Sequence, residues 1–325
     1  MMDFVVSSRE SEIQSFGSKE DRNKIYYGFI KNYSSESTRR AYTRELRAFL
    51  KFLQEKCQGL SEFKVEHSHL VAYKENLIIN GGESGRALGQ ASINRSMACL
   101  YAFYEYLLEQ KLVSTNPAQR IKRFKIAKEV KTIDLTDDEA RRLLEVIPTD
   151  NLSGLLHKAV LTLLFTTGMR EGEMASLKIK NLCYVGKTFS IKYFAKGAKE
   201  MTTALNPKAI DAIGNYLKVC EENNYSMNDE DYLFRPSFNP RNPGEVNKML
   251  DGKAMNYMIR KYASIIGVKG NVRFHSGRAT VIGSLLDKGQ SIEKVAEFVG
   301  HSHIETTKAY KKRKSKIENS LSYLL

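Results

Sequence analysis

Four short segments in the second half of the chain carry side chains that could act on a phosphate group. They are Thr167-Gly168-Met169-Arg170-Glu171-Gly172-Glu173, Ala195-Lys196-Gly197, His275-Ser276-Gly277-Arg278 and Gly300-His301-Ser302-His303-Ile304-Glu305-Thr306-Thr307-Lys308-Ala309-Tyr310. A tyrosine hydroxyl can attack a phosphodiester to form a covalent phosphoprotein, which divides one difficult step into two easier ones. The transition state gathers negative charge on its non-bridging oxygens. A guanidinium group stays charged and can bind two such oxygens at once. These residue types therefore suit phosphodiester cleavage by a protein nucleophile.

In this order and spacing, the four segments resemble the tyrosine recombinase family, the phage-integrase group that includes the Xer and Cre recombinases. Each segment alone is a weak signal, and a lone His-x-x-Arg is close to noise. The ordered set across residues 136–310, which ends in Gly-His, eight residues and then Tyr, is specific. The resemblance implies a site-specific recombinase that forms a 3′-phosphotyrosine and passes through a Holliday junction in a tetramer.

The resemblance also implies roles for the residues that bind and attack the phosphate. Tyr310 is the implied nucleophile, and Arg170 and Arg278 are the implied phosphate clamps. Arg170 follows Gly168 at the expected start of a helix, where backbone N–H groups also favour phosphate. Glu173 lies three residues after Arg170 on the same helical face, and we expect it to orient a catalytic group without acting as a catalyst.

Proton transfer and further phosphate contacts are implied for three other residues. Lys196 is the implied general acid for the departing 5′-oxygen, and Lys199 is close enough in sequence to compete for that role. His275 is one helical turn before Arg278 and assists proton transfer or phosphate binding. His301 follows a glycine at the end of a predicted helix, so we expect it at a helix junction that faces the site.

Local patterns predict the elements that position these residues. Thr136 precedes three acidic residues and starts a helix, and an apolar helix then ends at Gly168. Alternating residues on both sides of the turn at Lys196 predict a β-hairpin; they are Phe189, Ile191 and Tyr193 before the turn and Met201, Thr203 and Leu205 after it. The expected fold is mainly α, with a mostly helical, mixed α/β catalytic domain that contains a small antiparallel sheet.

The first part of the chain reads as a small helical domain that binds DNA. An amphipathic helix follows the serine-rich cluster at residues 34–37, and its polar face carries Arg39, Arg40, Arg44 and Arg47. That face suits a phosphate backbone, and a solvated charged surface explains it equally well. A second apolar stripe, with Ile93, Met97 and Leu100, predicts another helix after a glycine-rich break.

These patterns divide the chain into five parts. We expect a flexible N-terminal arm over residues 1–24, a helical core DNA-binding domain over 25–115, a basic linker over 116–135, a catalytic domain over 136–310 and a tail over 311–325. The linker carries Arg120, Lys122, Arg123 and Lys125, and we expect it to lie along a duplex instead of packing in a core. The tail is expected to dock on a neighbouring protomer, or on its own domain.

Composition agrees with a DNA-binding protein. The 325 residues carry a formal net charge of +14, which favours a polyanionic partner, nucleic acid before a membrane surface. Four widely separated cysteines and the absence of a signal peptide or long apolar run predict a cytoplasmic protein. The histidine pairs 67/69 and 301/303 have no supporting cluster of ligands, so we predict no metal and no other cofactor.

Two other functions remain open from the sequence. A type IB topoisomerase uses the same chemistry but reseals the same strand, and a basic helical protein could bind DNA without catalysis. The predicted partner is a double-stranded recombination site, with a homo- or hetero-tetramer on two such sites and an accessory protein as an option.

Overall fold

The computed structural model describes residues 19–82, 85–126, 133–195, 199–237 and 246–311. The chain divides into two compact units, Met1–Ala127 and Lys128–Leu325, and each has its own hydrophobic core. Helices dominate both units, and the second contains a three-stranded antiparallel sheet. The predicted fold class is therefore confirmed. None of the helices in the described ranges is long and apolar enough to cross a membrane.

Four α-helices build the described part of the first unit: α1 (Lys19–Lys31), α2 (Glu36–Lys56), α3 (His67–Ile79) and α4 (Gln90–Glu109). Helix α2 begins at Ser35, whose hydroxyl accepts a hydrogen bond from the Thr38 N–H, as the serine-rich cluster predicts. Leu46, Phe49 and Leu53 of α2 are buried against α4, so the basic face of α2 is directed away from the core.

The predicted N-terminal arm is partly wrong. Helix α1 begins at Lys19, so residues 19–24 are helical, and residues 1–18 lie outside the described ranges. Tyr26 and Phe29 of this helix are buried in the core of the first unit. Residues 19–24 are all polar or charged, so their sequence alone gives little sign of a packed helix, and burial of the two aromatic rings in the following turns stabilises α1.

The segment that was expected to lie along DNA packs in part on the first unit. Ala118 is buried in its core, and the Phe124 N–H donates to Asn94 Oδ1 at 2.8 Å while Asn94 Nδ2 donates back to the Phe124 carbonyl at 2.9 Å. The prediction missed this because the apolar residues alternate with charged ones. The basic side chains of the segment remain exposed; they are Arg120, Lys122, Arg123 and Lys125.

The second unit holds eight α-helices within its described residues: α5 (Asp137–Glu145), α6 (Leu152–Thr167), α7 (Glu171–Ala175), α8 (Pro207–Glu222), α9 (Gly252–Ile265), α10 (Phe274–Asp287), α11 (Ile292–Phe298) and α12 (Ile304–Lys311). Helix α5 starts with a capping box between Thr136 and Glu139, which fulfils the predicted start. Helix α6 is buried on nearly all sides and is the centre of the core.

The sheet follows the order β1-β2-β3, with β1 (Leu182–Val185), β2 (Thr188–Ala195) and β3 (Lys199–Ala204). Ala195 pairs with Lys199, so β2 and β3 form the predicted hairpin around residues 196–198, which lie outside the described ranges. Ile191 and Tyr193 face the core, as their alternation predicts. Strand β1 was not predicted, because its four residues are too few to show a clear alternation.

The end of α6 sets the path of the chain into the functional segments. Gly168 caps the helix in the left-handed conformation, with φ of 64°, and its N–H donates to the Leu164 carbonyl at 2.8 Å. A residue with a Cβ is strained in this conformation. The turn leaves Arg170 at the N-cap of α7 and points the Gly168 carbonyl toward α10.

Alanine substitutions at two glycines of the second unit should have opposite effects on stability. Gly168→Ala should lower the free energy of unfolding by about 1–2 kcal/mol, because alanine is strained at positive φ. Gly214→Ala should raise it by about 1 kcal/mol, because Gly214 is an exposed residue within α8 with open space around it. Urea unfolding followed by circular dichroism measures both changes, and stabilisation by Gly168→Ala would contradict the assignment of this cap.

Candidate active site

A buried guanidinium forms the base of the candidate site. Arg278 lies in the first turns of α10, and its side chain is 1% exposed. Its Nη1 donates to the Gly168 carbonyl and its Nη2 donates to the Val299 carbonyl, each at 2.6 Å. Burial, together with the charge of nearby Arg170, lowers the pKa of Arg278 to about 10. The group remains charged at neutral pH, since this pKa is well above 7.

A second guanidinium is oriented by a buried carboxylate. Arg170 Nη1 contacts Glu173 Oε1 at 2.7 Å, and the Arg170 N–H donates to Glu173 Oε2 at 2.8 Å. Nη2 of Arg170 donates to the Gly300 carbonyl at 3.1 Å. Glu173 is buried, whereas the Arg170 side chain keeps part of its surface accessible. The capping box between Arg170 and Glu173 thus fixes the guanidinium and starts α7.

The two arginines converge on one short stretch of chain. Arg278 binds the carbonyl of Val299, and Arg170 binds the carbonyl of the next residue, Gly300. Gly300 adopts φ of 64° and connects α11 to the segment that contains His301. The arrangement brings two cations beside the histidine and offers planar donor groups of the kind that phosphate oxygens accept.

The tyrosine of the last segment lies within this group. The Tyr310 ring is 7% exposed and packs in an apolar cluster with Ala279, Ile282 and Val295. Its hydroxyl is 3.3 Å from Nε2 of His275, which lies in the first turn of α10. Burial of the ring in this apolar cluster therefore fixes the Tyr310 hydroxyl next to His275, which could accept its proton.

His301 is held on two sides. Its Nδ1 is 2.8 Å from Oγ1 of Thr307, and its ring is stacked on that of Tyr310 with 6.4 Å between centroids and 17° between planes. Burial, together with the charges of Arg278 and Arg170, lowers the pKa of His301 to about 4. The imidazole is therefore neutral at pH 7.

The candidate general acid cannot be placed directly, because Lys196 lies outside the described residues. Its neighbour Ala195 ends β2 close to Gly300. A Cβ atom added to Gly300 would lie only 3.7 Å from the Cβ atom of Ala195. Lys199, the alternative acid, is exposed as the first residue of β3. The hairpin therefore leads to the same glycine that Arg170 binds.

The structure brings together five predicted site residues, Arg170, His275, Arg278, His301 and Tyr310, with Glu173 beneath them. Sequence reasoning missed two residues that support them. Thr307 contacts His301, and Asn256 of α9 donates to Glu171 Oε2 at 2.6 Å and accepts from the Phe274 N–H at 3.0 Å. Thr307 lies in the fourth segment but had no implied role, and Asn256 lies outside all four segments. Only the fold therefore reveals these contacts.

The first unit presents arginines on the surface formed by α2 and α4. Glu45 is 5% exposed and its Oε1 receives Arg44 Nη2 at 3.0 Å and Arg95 Nε at 3.1 Å. Both arginine side chains remain about half exposed, with 53% and 48% of their surface accessible. Arg40 is also exposed and pairs with Glu36, whereas Arg39 and Arg47 are partly buried. Arg95 was not predicted, because its partner is fifty residues away in sequence.

Among the described residues, no group of three or more His, Cys, Asp or Glu side chains could hold a metal ion. The first histidine pair has other contacts: His69 Nδ1 accepts from the Glu66 N–H at the start of α3, and His67 Nδ1 is 3.2 Å from the Pro117 carbonyl. The cysteines at positions 57, 99, 183 and 220 are free.

Comparison with known proteins identifies the class to which this fold and site belong. Residues 134–316, more than half of the chain, match the phage integrase family, and residues 26–111 match the N-terminal SAM-like domain of phage integrases. The chain therefore belongs to the phage integrase family, as the sequence motifs predict.

Several relatives of this chain are named as Xer recombinases. The chain is 28% identical to tyrosine recombinase XerC of Leptospira interrogans over 287 residues, which cover 88% of this chain and 85% of the relative. It is 26% identical to tyrosine recombinase XerD of Shewanella oneidensis over 276 residues, which cover 85% of this chain and 86% of the relative.

Solved structures show the same fold. XerH site-specific recombinase bound to palindromic difH substrate, a post-cleavage complex, matches with a TM-score of 0.65 and 17% identity, covering 90% of this chain and 85% of that chain. A lambda integrase tetramer bound to a Holliday junction matches with a TM-score of 0.61 and 15% identity, covering 89% and 75%. Both matches extend across the two units.

Acidification should destabilise the second unit through His301. His301 takes up a proton near pH 6.5 in the unfolded chain but only near pH 4 in the folded protein. Between these pH values the unfolded state therefore binds more protons. The free energy of unfolding should therefore fall as the pH is lowered from 6.5 to 4. His301→Trp should flatten this slope when urea unfolding is measured across the range.

Part of the slope should persist in that variant, because His157 is also buried and its pKa is about 4. The double variant with His157→Gln should flatten it further. An unchanged slope in His301→Trp would show that His301 is not neutral and buried in the folded protein.

Proposed function

We propose that this chain is a site-specific DNA recombinase that uses Tyr310 as its nucleophile. The observation that carries this proposal is the position of the Tyr310 hydroxyl, 3.3 Å from His275 Nε2 in a group of side chains that includes two anchored guanidinium groups. A phosphodiester bound by Arg170 and Arg278 would place its phosphorus within reach of this hydroxyl. The family membership and the Xer relatives support the same reaction.

The reaction needs a nucleophile, a place for its proton and a donor for the leaving group. Oη of Tyr310 attacks the scissile phosphorus and its proton passes to His275. The bond from phosphorus to the 5′-oxygen breaks, and Lys196 supplies the proton that makes a free 5′-hydroxyl. The products are a 3′-phosphotyrosine and a 5′-hydroxyl end, so the energy of the phosphodiester bond is retained.

Charge stabilisation is the contribution of the arginines. Arg170 and Arg278 hold the non-bridging oxygens where negative charge develops, and His301 adds a third contact. Glu173 orients Arg170 through two oxygens and partly compensates the two cations when DNA is absent. The 5′-hydroxyl of a partner strand then attacks the phosphotyrosine in the reverse chemistry, which exchanges strands and creates a Holliday junction.

DNA binding by the first unit extends the proposal. The buried Glu45 carboxylate orients Arg44 and Arg95 toward solvent, and both suit contacts to the phosphate backbone, as do Arg39, Arg40 and Arg47 along α2. The exposed basic residues of the 116–126 segment extend this positive surface; they are Arg120, Lys122, Arg123 and Lys125. We propose four protomers on two recombination sites, alike or of two kinds, in the cytoplasm, which suits the free cysteines.

Covalent trapping tests the nucleophile directly. Wild-type protein incubated without metal with nicked duplexes from a library of its host's DNA should give a protein–DNA band on a denaturing gel. Tyr310→Phe should give none, because it lacks the attacking oxygen but keeps the ring that packs in the apolar cluster. Sequencing of the trapped DNA should identify a site.

Three results would count against this function. A covalent band of equal strength from Tyr310→Phe would exclude Tyr310 as the nucleophile. Relaxation of supercoiled DNA through Tyr310, with no exchange between two copies of the trapped site, would indicate a topoisomerase instead. Binding without a covalent band on a site independently shown to recombine would indicate a protein that only binds DNA.

Arg95→Ala should weaken DNA binding in a salt-dependent way. Loss of one phosphate contact should reduce the slope of log K against log salt by roughly 1 on duplex DNA. The matched control is Lys56→Ala at the far end of α2, three turns from Arg44, which should change the slope less. Fluorescence anisotropy across a salt series measures both, and equal slopes for wild type and Arg95→Ala would contradict the phosphate contact.

A further inference from the structure

Thr307 has an unusual position for a small polar residue. Its side chain is fully buried in α12, one turn before Tyr310, and its hydroxyl is 2.8 Å from Nδ1 of His301. Residues three apart on a helix share a face, so Thr307 and Tyr310 are directed toward the same region. One contacts an edge of the histidine ring, and the other is stacked on its face.

The neutral ring of His301 can carry its hydrogen on either of two nitrogens. The ring is held neutral by burial and by the adjacent charges of Arg278 and Arg170. A neutral imidazole carries one hydrogen, on either Nδ1 or Nε2, and the nitrogen without it is an acceptor. Which nitrogen carries the hydrogen is set by the hydrogen bond that the other nitrogen makes.

The two tautomers differ in what they offer to a phosphate. Nε2 of His301 makes no hydrogen bond to any residue in the described ranges, and it is the nitrogen left for a ligand. If Nδ1 carried the hydrogen, Nε2 would present a lone pair, which repels a phosphate oxygen. If Nε2 carries it, the ring donates to that oxygen.

We propose that Thr307 is a positioning residue that donates its hydroxyl hydrogen to Nδ1 of His301 and thereby fixes the hydrogen on Nε2, directed at the scissile phosphate. This inference rests on the proposed function, because it assigns the task of His301 in that reaction. A threonine hydroxyl can rotate to donate, so it is compatible with this tautomer. Helix α12 then supplies both the nucleophile, Tyr310, and the hydroxyl of Thr307 that fixes the tautomer of His301.

The first test reads the tautomer without any DNA. Nitrogen NMR of the full chain labelled with 15N-histidine distinguishes a protonated ring nitrogen from an unprotonated one. Wild type should show His301 with hydrogen on Nε2, and Thr307→Val, which keeps the shape but removes the hydroxyl, should show a mixture. Thr307→Ser, which keeps the hydroxyl, should restore the Nε2–H form.

The second test reads the consequence for cleavage. Thr307→Val should slow formation of the covalent complex roughly 10- to 100-fold, as expected for partial loss of one preorganised donor, and Thr307→Ser should retain most of the rate. The decisive comparison is made in a His301→Trp background. The indole nitrogen always carries a hydrogen and has no tautomer to fix, so Thr307→Val should cost nothing further there.

The outcomes separate this inference from the proposed function. Hydrogen on Nδ1 in wild type would overturn the role of Thr307, whether or not the protein cleaves DNA. An equal loss from Thr307→Val in both backgrounds would show that the residue acts through packing alone. Wild type that forms no covalent complex on a proven site would overturn the proposed function, while NMR would still decide the tautomer.

Discussion

The site depends on one buried charge, the guanidinium of Arg278. Moving an ion out of water costs several kcal/mol unless polar partners compensate for the lost hydration. Here the compensation comes from the carbonyls of Gly168 and Val299, at the ends of α6 and α11. The hydrogen bonds of this charge therefore connect α10 to the ends of α6 and α11. The left-handed turn at Gly168 directs one of the two carbonyls toward Arg278.

The second arginine is arranged around the first. Arg170 is close enough to lower the pKa of Arg278, so the two cations repel each other, and the buried carboxylate of Glu173 offsets part of that repulsion. Two guanidiniums and one carboxylate leave an excess of positive charge, and the neutral His301 adds none. A phosphodiester, with a single negative charge, completes the balance, so the electrostatics that shape the site also suit a phosphodiester as its ligand.

Sequence patterns predicted what depends on local chemistry. The alternation around residue 196, the helix start at Thr136 and the helix end at Gly168 all correspond to observed elements. The motif residues were identified through the resemblance to the tyrosine recombinase family, and the fold brings five of them into one site. Lys196 stays a prediction, since it lies outside the described residues. The same holds for the predicted tail over 311–325, of which only Lys311 is described.

Tertiary context decided what the sequence could not predict. Helix α1 exists because two aromatic side chains are buried, and the 116–126 segment packs through Ala118 and Phe124 despite its charge. Arg95 and Thr307 gain their roles from partners that no motif connects to them. Each of these residues is ordinary in its local sequence, and only a long-range contact or a buried hydrogen bond distinguishes it.

The central claim, that the arginines act by stabilising negative charge on the scissile phosphate, can be tested with a neutral substrate. A methylphosphonate at the cleavage site replaces one non-bridging oxygen with a methyl group and removes the charge. Formation of the covalent complex by Arg170→Ala and Arg278→Ala should be severely reduced on the phosphodiester and substantially restored on the methylphosphonate, with Tyr310 still required. Restoration would also show that the variants fold. If wild type cleaves the neutral linkage but neither arginine variant does, charge stabilisation by these guanidiniums is contradicted.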